Sequence, residues 1–183
     1  MHEITNTIIE ELKEVFKGSN FTNVPHFVDQ ILESNSIITY GAGRVGLMMR
    51  CFSMRLAHLG FKSFFLLDTN VPQVNKGDCL IIGSGSGNTV SVAEMAELAA
   101  KKEVSILLIT ANMHSRISSI ATSTIELNAQ TKANENDRPH SIQPMTTLFE
   151  QSLLLTLDAL VIELMKVTKQ KNQDLEARHN ILE

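Results

Sequence analysis

Three hydroxyl side chains are set among three glycines in Gly83-Ser84-Gly85-Ser86-Gly87-Asn88-Thr89. The segment stands between an apolar run at 79–82 and a stretch at 90–101 whose alanine-rich face reads as a helix. Glycine lets a backbone approach an anion closely, and the first N–H groups of a helix have no intrahelical partner and carry the positive end of its dipole. Hydroxyls add further donors. The combination suits a terminal phosphate monoester, and the lysine of a Walker-type nucleotide loop is missing. The plainer alternative is an N-cap followed by a flexible turn.

A second loop, Gly41-Ala42-Gly43-Arg44-Val45-Gly46, spells G-x-G-x-x-G between a short apolar run and a helical pattern. Asp68 closes the next strand pattern at a spacing that suits a ribose contact, so a nicotinamide cofactor is one expectation. The other is a tight strand-to-helix turn whose glycines let the helix pack close to the sheet. Arg44 opens that helix and is either a group that reaches the same crevice or a solvated charge.

Glu150 shares a helix face with Leu153, Leu154, Leu157, Val161 and Leu164, whereas Glu163 falls on the opposite side. An ionised carboxylate on an apolar stripe is costly unless it is paired or its pKa is raised. A raised pKa makes a proton-shuttling base at neutral pH; pairing with a lysine or arginine at the stripe's edge makes a structural ion pair. Thr146 and Thr147 flank the same face one turn earlier, where they could contact a polar ligand. His179, in Arg178-His179-Asn180-Ile181-Leu182-Glu183, reads from the residues alone as an exposed tail histidine.

Positioning these groups requires elements that bring separate loops together. Ile4, Ile8, Ile9, Leu12, Val15 and Phe16 predict a helix stopped by Gly18, and a second helix follows with Thr22 as N-cap. Strands are predicted at 37–40, 61–67, 79–82, 104–110 and 123–127, and helices at 44–59, 90–101 and 113–121. The polar stretch 130–141, with Asn134, Asn136, Asp137 and Pro139, reads as a surface loop. A long helix is predicted over 144–168, with Pro144 in its first turn, and a short one in the tail at 169–183. This alternation predicts an α/β domain with a parallel sheet sandwiched by helices, its ligand sites at the carboxyl ends of the strands.

A chain of 183 residues suits one domain, and a net charge of −4 offers no basic footprint for nucleic acid. The most apolar run, 153–165, is interrupted by Asp158 and Glu163 and is too short to span a bilayer, so no membrane is expected. The start lacks the features of a signal peptide, and the two cysteines, Cys51 and Cys79, read as core thiols, so a cytoplasmic, reducing setting is expected. The six histidines, His2, His26, His58, His114, His140 and His179, show no metal-ligand spacing, and no metal is expected.

Together, Gly41-Ala42-Gly43-Arg44, the run Met54-Arg55-Leu56-Ala57-His58-Leu59-Gly60-Phe61, the loop 83–89, the run Gln143-Pro144-Met145-Thr146-Thr147-Leu148-Phe149-Glu150-Gln151 and the Arg178-His179 ending resemble the sugar isomerase (SIS) domain family, within it the 6-phospho-3-hexuloisomerases. The resemblance covers nearly the whole chain. It implies a single SIS domain over 1–183 with a flavodoxin-like sheet, helices 2–34 and 144–183 packing on it or on a neighbouring subunit, and assembly as a homotetramer. The implied reaction interconverts arabino-hex-3-ulose 6-phosphate and fructose 6-phosphate, without a cofactor, in formaldehyde fixation through ribulose monophosphate. Carried residue by residue, the resemblance gives the phosphate to Ser84, Gly85, Ser86, Gly87, Asn88 and Thr89 with Arg44 nearby. It makes Glu150 the base and brings His179 from a neighbouring subunit. Val45, Thr146 and Asn180-Ile181 depart from the residues usual in the family, where serine, glycine and Ala-Asn stand. A phosphosugar-sensing module and an isomerase of another sugar phosphate are the alternatives.

Overall fold

The computed structural model describes residues 1–131 and 140–182. The centre of the expected surface loop, including Asn134, Asn136, Asp137 and Pro139, lies outside them, as does Glu183. Five strands form one parallel sheet: β1 (Ile37–Tyr40), β2 (Ser63–Phe65), β3 (Cys79–Gly83), β4 (Ser105–Thr110) and β5 (Ser123–Glu126), in the order β2-β1-β3-β4-β5. This is the strand order of the flavodoxin-like sheet that the family resemblance implies. The central strands read as unbroken apolar runs because both their faces are covered; every residue of β1 and β3 is buried.

The helices are α1 (His2–Gly18), α2 (Val24–Glu33), α3 (Gly43–His58), α4 (Val90–Ala100), α5 (Thr147–Thr168) and α6 (Asn172–Glu176). Right-handed crossovers send α3, between β1 and β2, and α4, between β3 and β4, to opposite faces of the sheet. The long helix α5 packs against α3, with α1 and α2 against α5. A Cβ on Gly83 would meet Leu153 of α5 and Met49 of α3, each at 2.9 Å. The missing side chain is what lets both helices come down on the end of β3.

Four local expectations are corrected. Residues 113–121 form turns, not a helix, because Ser115, Ser118, Ser119 and Asn112 turn their side chains onto nearby backbone; the Ser118 hydroxyl, for example, donates to the Met113 carbonyl at 2.7 Å. β2 is only three residues long. Its predicted start is taken by the end of α3, where the Phe61 amide donates to the Leu56 carbonyl, and its end by a turn from Asp68 to Phe65. α2 is preceded by Asn23, not capped by Thr22, whose hydroxyl donates to Asn20 instead. α5 begins at Thr147, since Pro144 closes a turn with Thr147 through Met145 at φ +60°. The thiols also divide: Cys79 is in the core but Cys51 is exposed on α3.

Candidate active site

The strand order reverses direction between β1 and β3, and the loops that leave these strands part to open a crevice there. A cleft of about 530 Å³ lies at this point, walled by Ala42 to Val45 after β1, by Gly83 to Ser86 and Thr89 after β3, and by Pro144 to Thr147 with Phe149 and Glu150 at the start of α5. The N-termini of α3, α4 and α5 therefore all face one space. Their combined dipoles favour a bound anion.

The serine–glycine loop is held from outside by its carbonyls. Gly85 O accepts from the Ala111 amide at 3.1 Å and the Thr110 hydroxyl at 3.2 Å, Ser86 O from the Asn112 side-chain amide at 3.0 Å, and Gly87 O from the Ile117 amide at 3.2 Å. With the carbonyls turned outward, the amides of Gly85, Ser86, Thr89 and Val90 have no acceptor among the described residues. Two amides are used internally: Gly87 N–H donates to Ser84 Oγ and Asn88 N–H to Ser86 Oγ, both at 3.2 Å. Gly87 has φ +63°, and a side chain there would run into Ser115. Asn88 points away from the cleft and accepts from the Arg116 amide at 2.9 Å. Of the loop residues singled out from sequence, Ser84, Gly85, Ser86 and Thr89 line the cleft, while Gly87 and Asn88 shape the loop behind it.

Glu150 is 7% exposed and lines the same cleft. Its Oε2 accepts from Arg44 Nη1 at 2.7 Å, and its Oε1 from the Thr146 hydroxyl at 2.9 Å. Arg44 also donates to the Thr147 hydroxyl at 3.1 Å, which in turn donates to the Pro144 carbonyl at 2.7 Å. Of the two sequence alternatives for Glu150 the structure displays the pairing with an arginine, and it places that pair inside the crevice. Among the described residues that line the cleft, Glu150 is the only acid and Arg44 the only base. The pairing could not be read from helical periodicity, because its partner sits 106 positions away on another helix.

The second glycine loop behaves as the tight-turn alternative. A Cβ on Gly46 would meet the Gly41 carbonyl oxygen at 2.5 Å, so glycine is what seats α3 against the end of β1. Asp68, the candidate ribose ligand, is bound to Arg50 at 2.5 Å, and that guanidinium lies 3.9 Å over the Phe65 ring. His179 is not in this cleft. Its ring lies 5.2 Å from that of His58, at the far end of α3, in a separate hollow lined also by Arg55, Asp158 and Glu176.

Three comparisons bear on this geometry. Residues 30–162 match the family model of the SIS domain. The chain is 35% identical over 182 residues to a Bacillus subtilis (strain 168) protein named 3-hexulose-6-phosphate isomerase, covering 98% of each. It is 33% identical over 178 residues to a Methanocaldococcus jannaschii protein of the same name, covering 97% of this chain and 94% of that one. A crystal structure of a Methanococcus jannaschii protein, for which a molecular function of 3-hexulose-6-phosphate isomerase was inferred, superposes with a TM-score of 0.80 at 33% identity, covering 98% of this chain and 97% of the other.

Proposed function

This chain belongs to the SIS domain family, and from that membership and the chemistry of the cleft we propose that it is a sugar-phosphate isomerase interconverting arabino-hex-3-ulose 6-phosphate and fructose 6-phosphate. The observation that carries the reading is the Glu150 carboxylate, buried in a crevice whose opposite wall offers amides and hydroxyls suited to a phosphate. Its full-length relatives named for this reaction support the choice of sugar.

In the 3-ketose the carbonyl is at C3. Glu150 removes the proton from C2, the electrons form a C2–C3 double bond, and O3 becomes the enediolate oxygen. Return of the proton to C3, with transfer of the O2 hydrogen to O3, leaves the carbonyl at C2. Both carbons lie on one face of a cis-enediol, so one carboxylate serves both steps. Ser84, Ser86, Thr89 and the free loop amides bind the phosphate at the other end of the substrate, which orients the reacting carbons without changing their chemistry. Arg44 pairs with Glu150 and sets a positive group beside the developing enediolate. His179 reaches the sugar oxygens from a neighbouring copy. The enzyme works as a cytoplasmic homotetramer, as the resemblance to its family implies.

Glu150→Gln tests the assignment. Loss of a positioned base lowers kcat by roughly 10²–10⁴-fold, and KM stays within a few-fold because the cradle is intact. Near-normal turnover by this variant removes Glu150 as the base. Binding of the sugar phosphate by the unaltered chain without any conversion makes the domain a sensor instead of an enzyme.

A further inference from the structure

The wall of the cleft that carries Pro144 to Thr147 is joined to the sheet by no strand ladder, yet it supplies both hydroxyl partners of the Arg44–Glu150 pair. Its hydrogen bonds lead to the N-terminal helix. Glu11 Oε1 accepts from the Ile142 amide at 2.7 Å. Glu11 Oε2 accepts from the Ser141 hydroxyl at 2.6 Å and from the Gln143 side-chain amide at 3.0 Å. Ser141 is tied further, its amide donating to Gln130 Oε1 at 2.6 Å and its hydroxyl accepting from the Gln143 amide at 3.0 Å. One carboxylate thus gathers donors from three consecutive residues immediately before the turn that opens α5.

The platform under Glu11 is firm. Val15, one turn on, is buried, and Leu12 packs against the core. The end of α1 is tied to β5, where the Asn128 amide donates to the Ser19 hydroxyl at 3.0 Å and the Asn20 amide to the Glu126 carbonyl at 2.9 Å. The tie runs from β5 through α1 and Glu11 to 141–143, then through Met145, at φ +60°, to Thr146 and Glu150.

We infer that Glu11 is a positioning residue of the cleft, whose carboxylate fixes the 141–143 segment and so sets the Met145–Thr146 turn that partners Glu150. Charge-assisted bonds to a carboxylate are stronger than neutral ones, and only a carboxylate offers two accepting oxygens in this fork. Glutamine keeps one of them and turns an N–H₂ toward donors. Alanine removes all three bonds. The kinetic part of this inference rests on the isomerase reading; the structural part does not.

The test compares the unaltered chain with Glu11→Ala, Glu11→Gln and Glu10→Ala by amide hydrogen exchange and by steady-state kinetics. Glu10 is a control for charge alone, since it lies on the same helix and pairs with Lys13 at the surface. In Glu11→Ala the amides of Ile142 and Thr147 exchange about ten-fold faster or more, and those of Gly87 and Asn88 in the phosphate loop are unmoved. kcat falls by roughly ten-fold while KM and inhibition by inorganic phosphate stay within about three-fold, and Glu11→Gln falls between the two. Added to Thr146→Val, the Glu11→Ala change costs little more, because both act on the same contact to Glu150. Faster exchange at Ile142 with unchanged exchange at Thr147 overturns the inference, as do losses from Glu11→Ala and Thr146→Val that multiply. A chain that isomerises nothing defeats the isomerase reading alone, and the exchange pattern still decides whether Glu11 sets the turn.

Discussion

Glu150 has a partner on each oxygen, Thr146 on Oε1 and Arg44 on Oε2. An ionised carboxylate has about four lone-pair sites, so room for a substrate proton remains on both. Thr146→Val keeps the volume and deletes one hydrogen bond to the carboxylate; kcat should fall roughly ten-fold, about 1.4 kcal/mol, with KM little changed in steady-state assays. A second residue-scale contrast concerns the two thiols. Burial pushes the Cys79 thiol up to about 12, with Asp78 adding to the rise and a hydrogen bond with Ser34 opposing it. An unfolded thiol ionises near ~8.5, so above that pH the unfolded chain sheds a proton that the folded chain keeps. Stability on this account is full below ~8.5 and falls as pH climbs toward the folded value, by about 2 kcal/mol at pH 10. Denaturant midpoints measured across that range should show the decline, and Cys79→Ala should flatten it. A thiol reagent at pH 8 should modify Cys51, which is exposed, at once and Cys79 only on unfolding.

At the scale of elements, Gly46 joins fold to site. A Cβ there meets the Gly41 carbonyl oxygen at 2.5 Å, so Gly46→Ala must lift the start of α3 off β1. Overpacking of this kind costs roughly 1–3 kcal/mol and, in a chain of this size, lowers Tm by roughly 2–10 °C. Arg44 moves with the helix, so calorimetry and turnover should decline together; loss of stability with full activity would separate the seat of α3 from the ion pair. The same loop shows what the sequence could and could not convey. Alternating apolar runs and helical patterns announced the parallel sheet, since β1, β3 and β4 are buried on both faces and leave no doubt about period. The G-x-G-x-x-G spelling was ambiguous because glycine serves a close turn and a close ligand equally well; the Gly46–Gly41 approach and the Asp68–Arg50 pair, which favour the turn, appear only in the fold. Residues 113–121 misread as helix because serine and asparagine can satisfy backbone groups locally, a competition that hydrophobic periodicity does not register. The loop at 83–89 read as a candidate anion site from its residue types, but the outward turn of its carbonyls depends on Thr110 at the end of β4 and on Ala111, Asn112 and Ile117 after it, which spacing alone does not convey.

For the molecule as a whole, the place of His179 poses a geometric problem. Gly43 at the start of α3 lines the cleft, and His58 at its end lies beside His179. A helix of 16 residues spans about 24 Å, so within one chain His179 is far beyond hydrogen-bond reach of a ligand near Glu150. The tail is also held in place, since Arg178 Nη1 donates to the His58 carbonyl at 3.1 Å and to the Gln170 side chain at 2.8 Å. A catalytic role for His179 therefore requires a second copy whose cleft faces this hollow. Leu155, Ala159 and Ile162 form an exposed apolar stripe on α5, a surface of the kind such a contact would need. The requirement can be tested without a structure of the assembly. Glu150→Gln and His179→Ala, each prepared alone, should both be nearly inactive. Unfolded together in equal amounts and refolded, they form mixed assemblies. If each cleft takes Glu150 from one subunit and His179 from another, random pairing restores roughly a quarter of the sites, since half the contacts are mixed and one of the two sites in each is intact. If both residues come from the same subunit, every site in every mixture carries one lesion, and activity stays at the level of the separate variants.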